Sequence, residues 1–134
     1  MPQRVLLDTH VLLHWLWRDP RLSDRHRRVC EAAGEDAPLW LSEVTLWEIA
    51  MLYSLRRIRL DVPLRDFLEQ ATSPPLVQRV RISPAIAAEV AALPDSFHRD
   101  PADRLIVASA RVLGATLLTQ DVKIIDAKLV PTMS

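Results

Sequence analysis

Arg4-Val5-Leu6-Leu7-Asp8-Thr9-His10 is the stretch on which the fold turns. An apolar run from Val5 ends abruptly in the carboxylate of Asp8. It lacks polar alternation, so as a strand it is buried on both faces, as in a parallel sheet. A helical pattern begins at once. Thr9 is placed to cap a helix over residues 10–17, with Val11, Leu12, Trp15 and Leu16 on one face. Ligands of open α/β sheets bind beyond the carboxyl ends of the strands. Asp8 stands at such an edge, and the rest of the chain is read for what comes to meet it.

Working outward, Asp19-Pro20 breaks the first helix. Ser23 or Asp24 starts a polar helix that Gly34 closes. Residues 38–42 read as a short buried strand, and Ser42 caps a helix to about Leu55. Arg56-Arg57-Ile58-Arg59 is a basic stop. Pro63 opens a helix to about Ala71, and Pro74-Pro75 ends that unit. Residues 77–82 form a strand, and Ser83-Pro84 caps a helix over 85–93. After a loop over 94–99, Asp100-Pro101 begins a long helix ending at Gly114. Residues 115–119 are again an apolar strand, followed by Asp121 and a short tail. Strands alternating with helices predict an α/β fold with a small parallel sheet.

The totals agree with one globular domain spanning residues 1–134. The 134 residues are 49% hydrophobic and 25% charged, proportions of a globular protein with a real core. With 2 glycines and neither glycine-rich phosphate-loop pattern, those modes of nucleotide binding are disfavoured. A single cysteine, Cys30, allows no internal disulfide and suggests a reducing, cytoplasmic setting. No signal peptide or bilayer-spanning stretch is read, so no membrane partner is expected. The net charge of +0 advertises no nucleic-acid binding by the molecule as a whole. Arginine greatly outnumbers lysine, which leaves room for a local phosphate-binding surface.

Four carboxylates occupy unusual places. Asp8 could be a helix cap, but Thr9 can take that duty. Glu48 lies among Val44, Thr45, Met51 and Leu52, its neighbours on the apolar helix face, where an unpartnered carboxylate is costly. In His98-Arg99-Asp100-Pro101-Ala102-Asp103-Arg104, Asp100 before proline is a natural cap. Asp103 sits in the first turn, where the helix dipole favours an anion, and shares a face with Ile106 and Val107. Both fit the local pattern; Asp103 is the expected chemical residue and Asp100 its neighbour. Asp121 follows the last apolar strand at the same kind of edge as Asp8. Carboxylates gathered within a few ångströms repel unless cations neutralise them. Mg²⁺, or Mn²⁺ in its place, suits such oxygen donors. Two such ions can activate water against a phosphodiester and stabilise the leaving oxygen.

Leu7–Trp15, Ser42–Ala50, Arg99-Asp100-Pro101-Ala102-Asp103-Arg104 and Leu118-Thr119-Gln120-Asp121 together resemble the four motifs of PIN-domain ribonucleases, in particular the VapC-type toxins of toxin–antitoxin pairs. The resemblance covers nearly the whole chain and keeps the motifs in order. It implies a three-layer α/β/α fold with a mainly parallel sheet of four or five strands. It also implies metal-dependent endonucleolytic cleavage of RNA, a homodimer and a small inhibitory antitoxin. Carried over residue by residue, Asp8, Glu48, Asp103 and Asp121 hold the metal, and Thr119 orients an acid or a water. Thr9, His10 and Asp100 surround that set, and Arg56, Arg57, Arg59 and Arg104 are candidates to meet RNA. A catalytically silent PIN-like module acting through a partner, and a DNA-directed nuclease, are the alternatives. His10 and His14 stand four apart like a helical zinc pair but lack a further zinc ligand. Trp15, Trp17, Trp40 and Trp47 are expected in the core or at a dimer face rather than as base-stacking platforms. A haloacid-dehalogenase phosphatase would need a second Asp where His10 stands, and a receiver domain an Asp where Ser42 stands.

Overall fold

The computed structural model describes residues 3–73 and 75–134. The first half of the Pro74-Pro75 stop falls outside them.

Among the described residues, five strands and seven helices follow one another. They are β1 (Val5–Leu7), α1 (Thr9–Leu16), α2 (Asp24–Glu31), β2 (Leu39–Ser42), α3 (Val44–Ser54) and α4 (Leu64–Ala71), then β3 (Val77–Val80), α5 (Pro84–Ala92), α6 (Pro101–Leu113), β4 (Thr116–Leu118), α7 (Val122–Ala127) and β5 (Thr132–Met133). The sheet runs in the order β3-β2-β1-β4-β5 with every pairing parallel. This is a three-layer α/β/α arrangement, and β1 is its central strand, as the apolar run ending at Asp8 requires.

Alternation along the strands sends neighbouring side chains to opposite faces. Leu6 and Leu117 join Ile106, Val107 and Ile86 under α5 and α6, whereas Leu7 and Leu118 join Leu12, Leu41 and Ile49 under α1 and α3. Leu6, Leu7, Leu117 and Leu118 are all fully buried. Each such side chain contributes on the order of 1.5–3 kcal/mol by leaving water.

The chain builds β1, β2 and β3 outward in one direction, then crosses back to set β4 on the other side of β1. The ends of β1 and β4 therefore flank the switch point of the sheet, where diverging connections leave a crevice. Residues 8 and 119–121 arrive there because their strands are paired in register, Leu7 opposite Leu118.

Four local expectations change. Glu43, not Ser42, is the N-cap of α3 and makes no side-chain cap bond, although the Ser42 hydroxyl accepts from the Val44 N–H at 3.2 Å. Asp8, not Thr9, caps α1: its side chain accepts from the Thr9 N–H, and Thr9 is the first helical residue. Gly34 does not close α2, which ends at Glu31 with Ala32 as C-cap; Gly34 instead pairs with Ala37. The expected tail after Asp121 contains α7 and the edge strand β5. At the end of α6 the expectation stands, with Gly114 at φ 64° in the left-handed conformation that a residue without Cβ adopts freely.

Candidate metal centre

Asp8 is the most enclosed acid of the cleft, with 6% of its surface exposed. Its Oδ1 accepts from the Thr9 N–H at 2.8 Å and its Oδ2 from the Thr119 hydroxyl at 2.7 Å. Thr119 also accepts from the Asp121 N–H at 3.1 Å. One buried hydroxyl thus ties the end of β1 to the turn after β4 and fixes two acids at once. Asp121 itself caps α7, its Oδ1 accepting from the Lys123 N–H at 2.9 Å.

Glu48 enters from α3. The Thr9 hydroxyl donates to its Oε1. Since Thr9 has one hydroxyl proton, the Thr45 hydroxyl, 2.9 Å away, donates to Thr9 in turn. Thr9 and Thr45 are fully buried, so this chain holds Glu48 from beneath while its carboxylate faces the cleft. Met51, which the helix pattern places on the same face, is exposed instead.

Asp103 enters from the first turn of α6. Asp100 caps that helix, its Oδ1 accepting from the Asp103 N–H at 3.1 Å. Asp103 Oδ2 lies 3.2 Å from His98 Nε2, and its side chain is 16% exposed. Asp8, Glu48, Asp100, Asp103 and Asp121 line one open cleft of about 560 Å³ with His10, Val11, His14, Arg21, His98, Gln120 and Lys123.

The electrostatics follow from this gathering. Burial pushes the Asp8 carboxyl up, against the bond from Thr119. Burial likewise raises Glu48, opposed by its bond from Thr9 and reinforced by Asp8 and Asp100. Asp103 is pushed up from 3.8 to about 7, first by burial and then by repulsion from Asp8, Asp100, Glu48 and Asp121. Such a set favours a cation that replaces both lost hydration and missing positive charge. Donor atoms of Asp103, Asp121 and His98 lie within 4.8 Å of one another, close enough to share one ion. Asp8 and Glu48 line the same cleft with further carboxylate oxygens of the kind a hard divalent ion takes.

All four acids expected to hold the metal are therefore in one cleft, with Thr9, Thr119 and Asp100 beneath or beside them. His10 and His14 line its wall. The candidate arginines stand elsewhere. Arg56 and Arg59 border a separate depression with Tyr53 and Asp61. Arg104 donates to the carbonyls of Leu93, Phe97 and His98 at 3.0–3.4 Å. Of the four tryptophans expected in the core or at a dimer face, Trp17 and Trp47 are exposed. His98, Arg21 and Lys123 enter the cleft without having been singled out from the sequence. For His98 the available signal was its place five residues before Asp103.

Comparison with known proteins gives this arrangement a family. The PIN domain family model matches residues 5–129. Ribonuclease VapC22 of Mycobacterium tuberculosis is 40% identical over 117 residues, which are 87% of this chain and 86% of that protein. Among solved structures, VapBC2 from Rickettsia felis, bound to a DNA fragment from its promoter, superposes with a TM-score of 0.72 at 16% identity, covering 96% of each chain. FitAcB from Neisseria gonorrhoeae superposes with a TM-score of 0.69 at 24% identity, covering 97% of this chain and 96% of that one. With its fold, its cleft and a match along almost its whole length in agreement, the chain belongs to the PIN-domain family, in its VapC branch.

Proposed function

We propose that the protein is a metal-dependent endoribonuclease toxin of a toxin–antitoxin pair, hydrolysing RNA phosphodiester bonds with water as the nucleophile. The convergence of Asp8, Glu48, Asp103 and Asp121 on one cleft carries this reading. A bound Mg²⁺, or Mn²⁺ in its place, would supply Lewis acidity for water activation and for charge on the leaving oxygen. Asp8 and Asp121, each held by Thr119, would keep fixed orientations under that cation. Glu48, held by Thr9, would hold or accept a proton at Oε1 or Oε2 according to the charge beside it. Lys123 on the cleft wall would supply positive charge for phosphates flanking the scissile bond, with Arg21, paired to Asp19 at 2.7 Å, beside it. Arg56 and Arg59, beside a depression separate from the cleft, and Arg57 would meet the RNA away from the scissile bond.

The likeness to a named ribonuclease supports RNA as the substrate. An antitoxin partner is supported by the surface next to Glu48: Trp47, Met51 and Leu55 follow one another at four-residue intervals along α3 and its end, and all are exposed, Trp47 by 53%. A stripe of that kind suits an amphipathic segment laid beside the cleft. Exposed Val112 and Val122 offer apolar surface for self-association into a homodimer. A cytoplasmic location follows from this reading; among the described residues no helix is long and apolar enough to cross a membrane.

Purified Asp8→Asn and Asp103→Asn proteins test the reading against matched RNA and DNA strands. Both variants are expected to fold and to lose cleavage of RNA, as is the parent protein in excess chelator. Retained RNA cleavage in either folded variant refutes the assignment. Cleavage of DNA alone would move the protein to the DNA-directed alternative.

A further inference from the structure

We propose that His98 is a direct ligand of the metal position formed by Asp103 and Asp121, and that it biases this position toward a transition-metal ion such as Mn²⁺ over Mg²⁺. The inference rests on the metal-dependent reading above and adds a nitrogen donor to a set otherwise made of oxygens.

The geometry is that of ligands around one ion. One donor atom from each of His98, Asp103 and Asp121 lies within 4.8 Å of the other two. Adjacent ligands at about 2.1 Å from an octahedral ion are roughly 3 Å apart, and opposite ones roughly 4 Å. The 3.2 Å between His98 Nε2 and Asp103 Oδ2 matches an adjacent pair. Their contact is close without being a hydrogen bond: the Nε2 atom is shut off from solvent and has no aligned partner. A buried polar nitrogen without a partner is costly, and a shared cation would satisfy it together with the facing carboxylate.

The loop is built to hold the ring there. Phe97 is buried, and its ring meets the His98 ring edge to face at 4.6 Å between centroids and 81°. Arg104 lies over Phe97, 5.8 Å from the ring centroid. Its guanidinium donates to the carbonyls of Phe97 at 3.0 Å, His98 at 3.3 Å and Leu93 at 3.4 Å. Arg104 thus clamps three backbone positions of the loop from one turn of the helix that also carries Asp103. The clamp fixes His98 relative to Asp103, which is what a metal position of defined geometry needs. Imidazole ligation suits first-row transition-metal ions better than Mg²⁺, with Mn²⁺ at the weak end of that series.

Mn²⁺ added to the metal-stripped full chain is the probe. Electron paramagnetic resonance counts bound Mn²⁺ and gives its affinity, and pulsed measurements detect nitrogen coupled to the ion. The parent protein is expected to bind Mn²⁺ with imidazole nitrogen coupling. His98→Ala should abolish the coupling and weaken Mn²⁺ binding by at least about tenfold, the loss typical of even an indirect partner of a metal. Mg²⁺ affinity, read by competition, should fall less. His10→Ala and His14→Ala, at the other two imidazoles of the cleft, should keep the coupling. His98→Gln carries the same test with a side chain that still packs on Phe97, if the Ala variant fails to fold. Bound Mn²⁺ without nitrogen coupling in the parent, or coupling that persists in a folded His98 variant, overturns this inference and leaves the metal-dependent reading standing. Absence of any bound Mn²⁺ or Mg²⁺ in the parent overturns both.

Discussion

In the metal-free protein, Asp103→Asn should raise stability, and only above acidic pH. The carboxyl of Asp103 is pushed up from 3.8 to about 7 by burial and by four neighbouring acids. Below about pH 4 it is neutral both folded and unfolded. Between about pH 4 and 7 the folded state keeps a proton that the unfolded chain has released, so stability falls as pH rises through this window. Above about pH 7 the full loss is present. A displacement of this size corresponds to at most about 4 kcal/mol. The carboxylate faces an open, hydrated cleft, and screening there leaves about 1–2 kcal/mol. Asn has nearly the same shape and no charge, so it relieves that repulsion. For a chain of this length the gain is about 3–8 °C in Tm at pH 8. It should shrink toward zero near pH 4. Thermal melts of both proteins in chelator, followed by circular dichroism at the two pH values, measure it. Adding Mn²⁺ should reverse the order, because only the parent retains the acid that makes the cation bind well. A variant that melts no higher than the parent at pH 8, or a gap that is equal at pH 4, refutes the claim that acids crowd around Asp103.

Thr119→Val removes the hydroxyl that holds both Asp8 and Asp121; metal affinity, read by titration calorimetry, should fall about 10–100-fold, and unchanged affinity would show the bond to be incidental. Arg104→Ala leaves three loop carbonyls without their donor and should cost about 2–3 kcal/mol, measured by denaturant unfolding; a loss below about 0.5 kcal/mol would rule out the clamp. Ile106→Ala, under the sheet and remote from solvent, should cost about 2–5 kcal/mol by leaving a cavity. Neutralising Arg56, Arg57 and Arg59 together should reduce the slope of log affinity for RNA against log salt by up to about 2; an unaltered slope removes them from the substrate path.

What could be read without coordinates was whatever a local pattern determines. β1 has an unbroken apolar run, and α6 is bracketed by Asp100-Pro101 and Gly114, so both emerge nearly at their observed bounds. Glu48 declared itself by standing on an apolar helix face. What stayed hidden depends on tertiary contact. β5 has two residues, too few to show periodicity, and it exists because β4 offers a free edge. The ring of His98 lies in a loop, and no local rule aims a loop side chain. Its position is set by Arg104, six residues on, whose guanidinium could equally have faced solvent. For Trp47 the sequence left core and dimer face open, and the pitch of α3, which turns Glu48 to the cleft, turns Trp47 outward.

Capping and metal binding look like competing explanations for an aspartate at a helix start, and here they are one arrangement. Asp8, Asp100 and Asp121 each use Oδ1 to accept a backbone N–H at the start of α1, α6 and α7 respectively. A carboxylate oxygen can accept more than one partner, so capacity remains even at Asp8, whose Oδ2 also accepts from Thr119. The cap therefore immobilises the group without exhausting it. Three helix starts pointed at one crevice also bring three positive dipole ends toward it, which lowers the cost of gathering acids there before any cation arrives. The helix starts are brought together by the strand order, since α1 and α7 follow β1 and β4 on either side of the switch point. A protein that merely needed three caps would gain nothing by converging them, and the crowding costs it stability at neutral pH. On the metal-dependent reading, a divalent cation in the cleft offsets that cost.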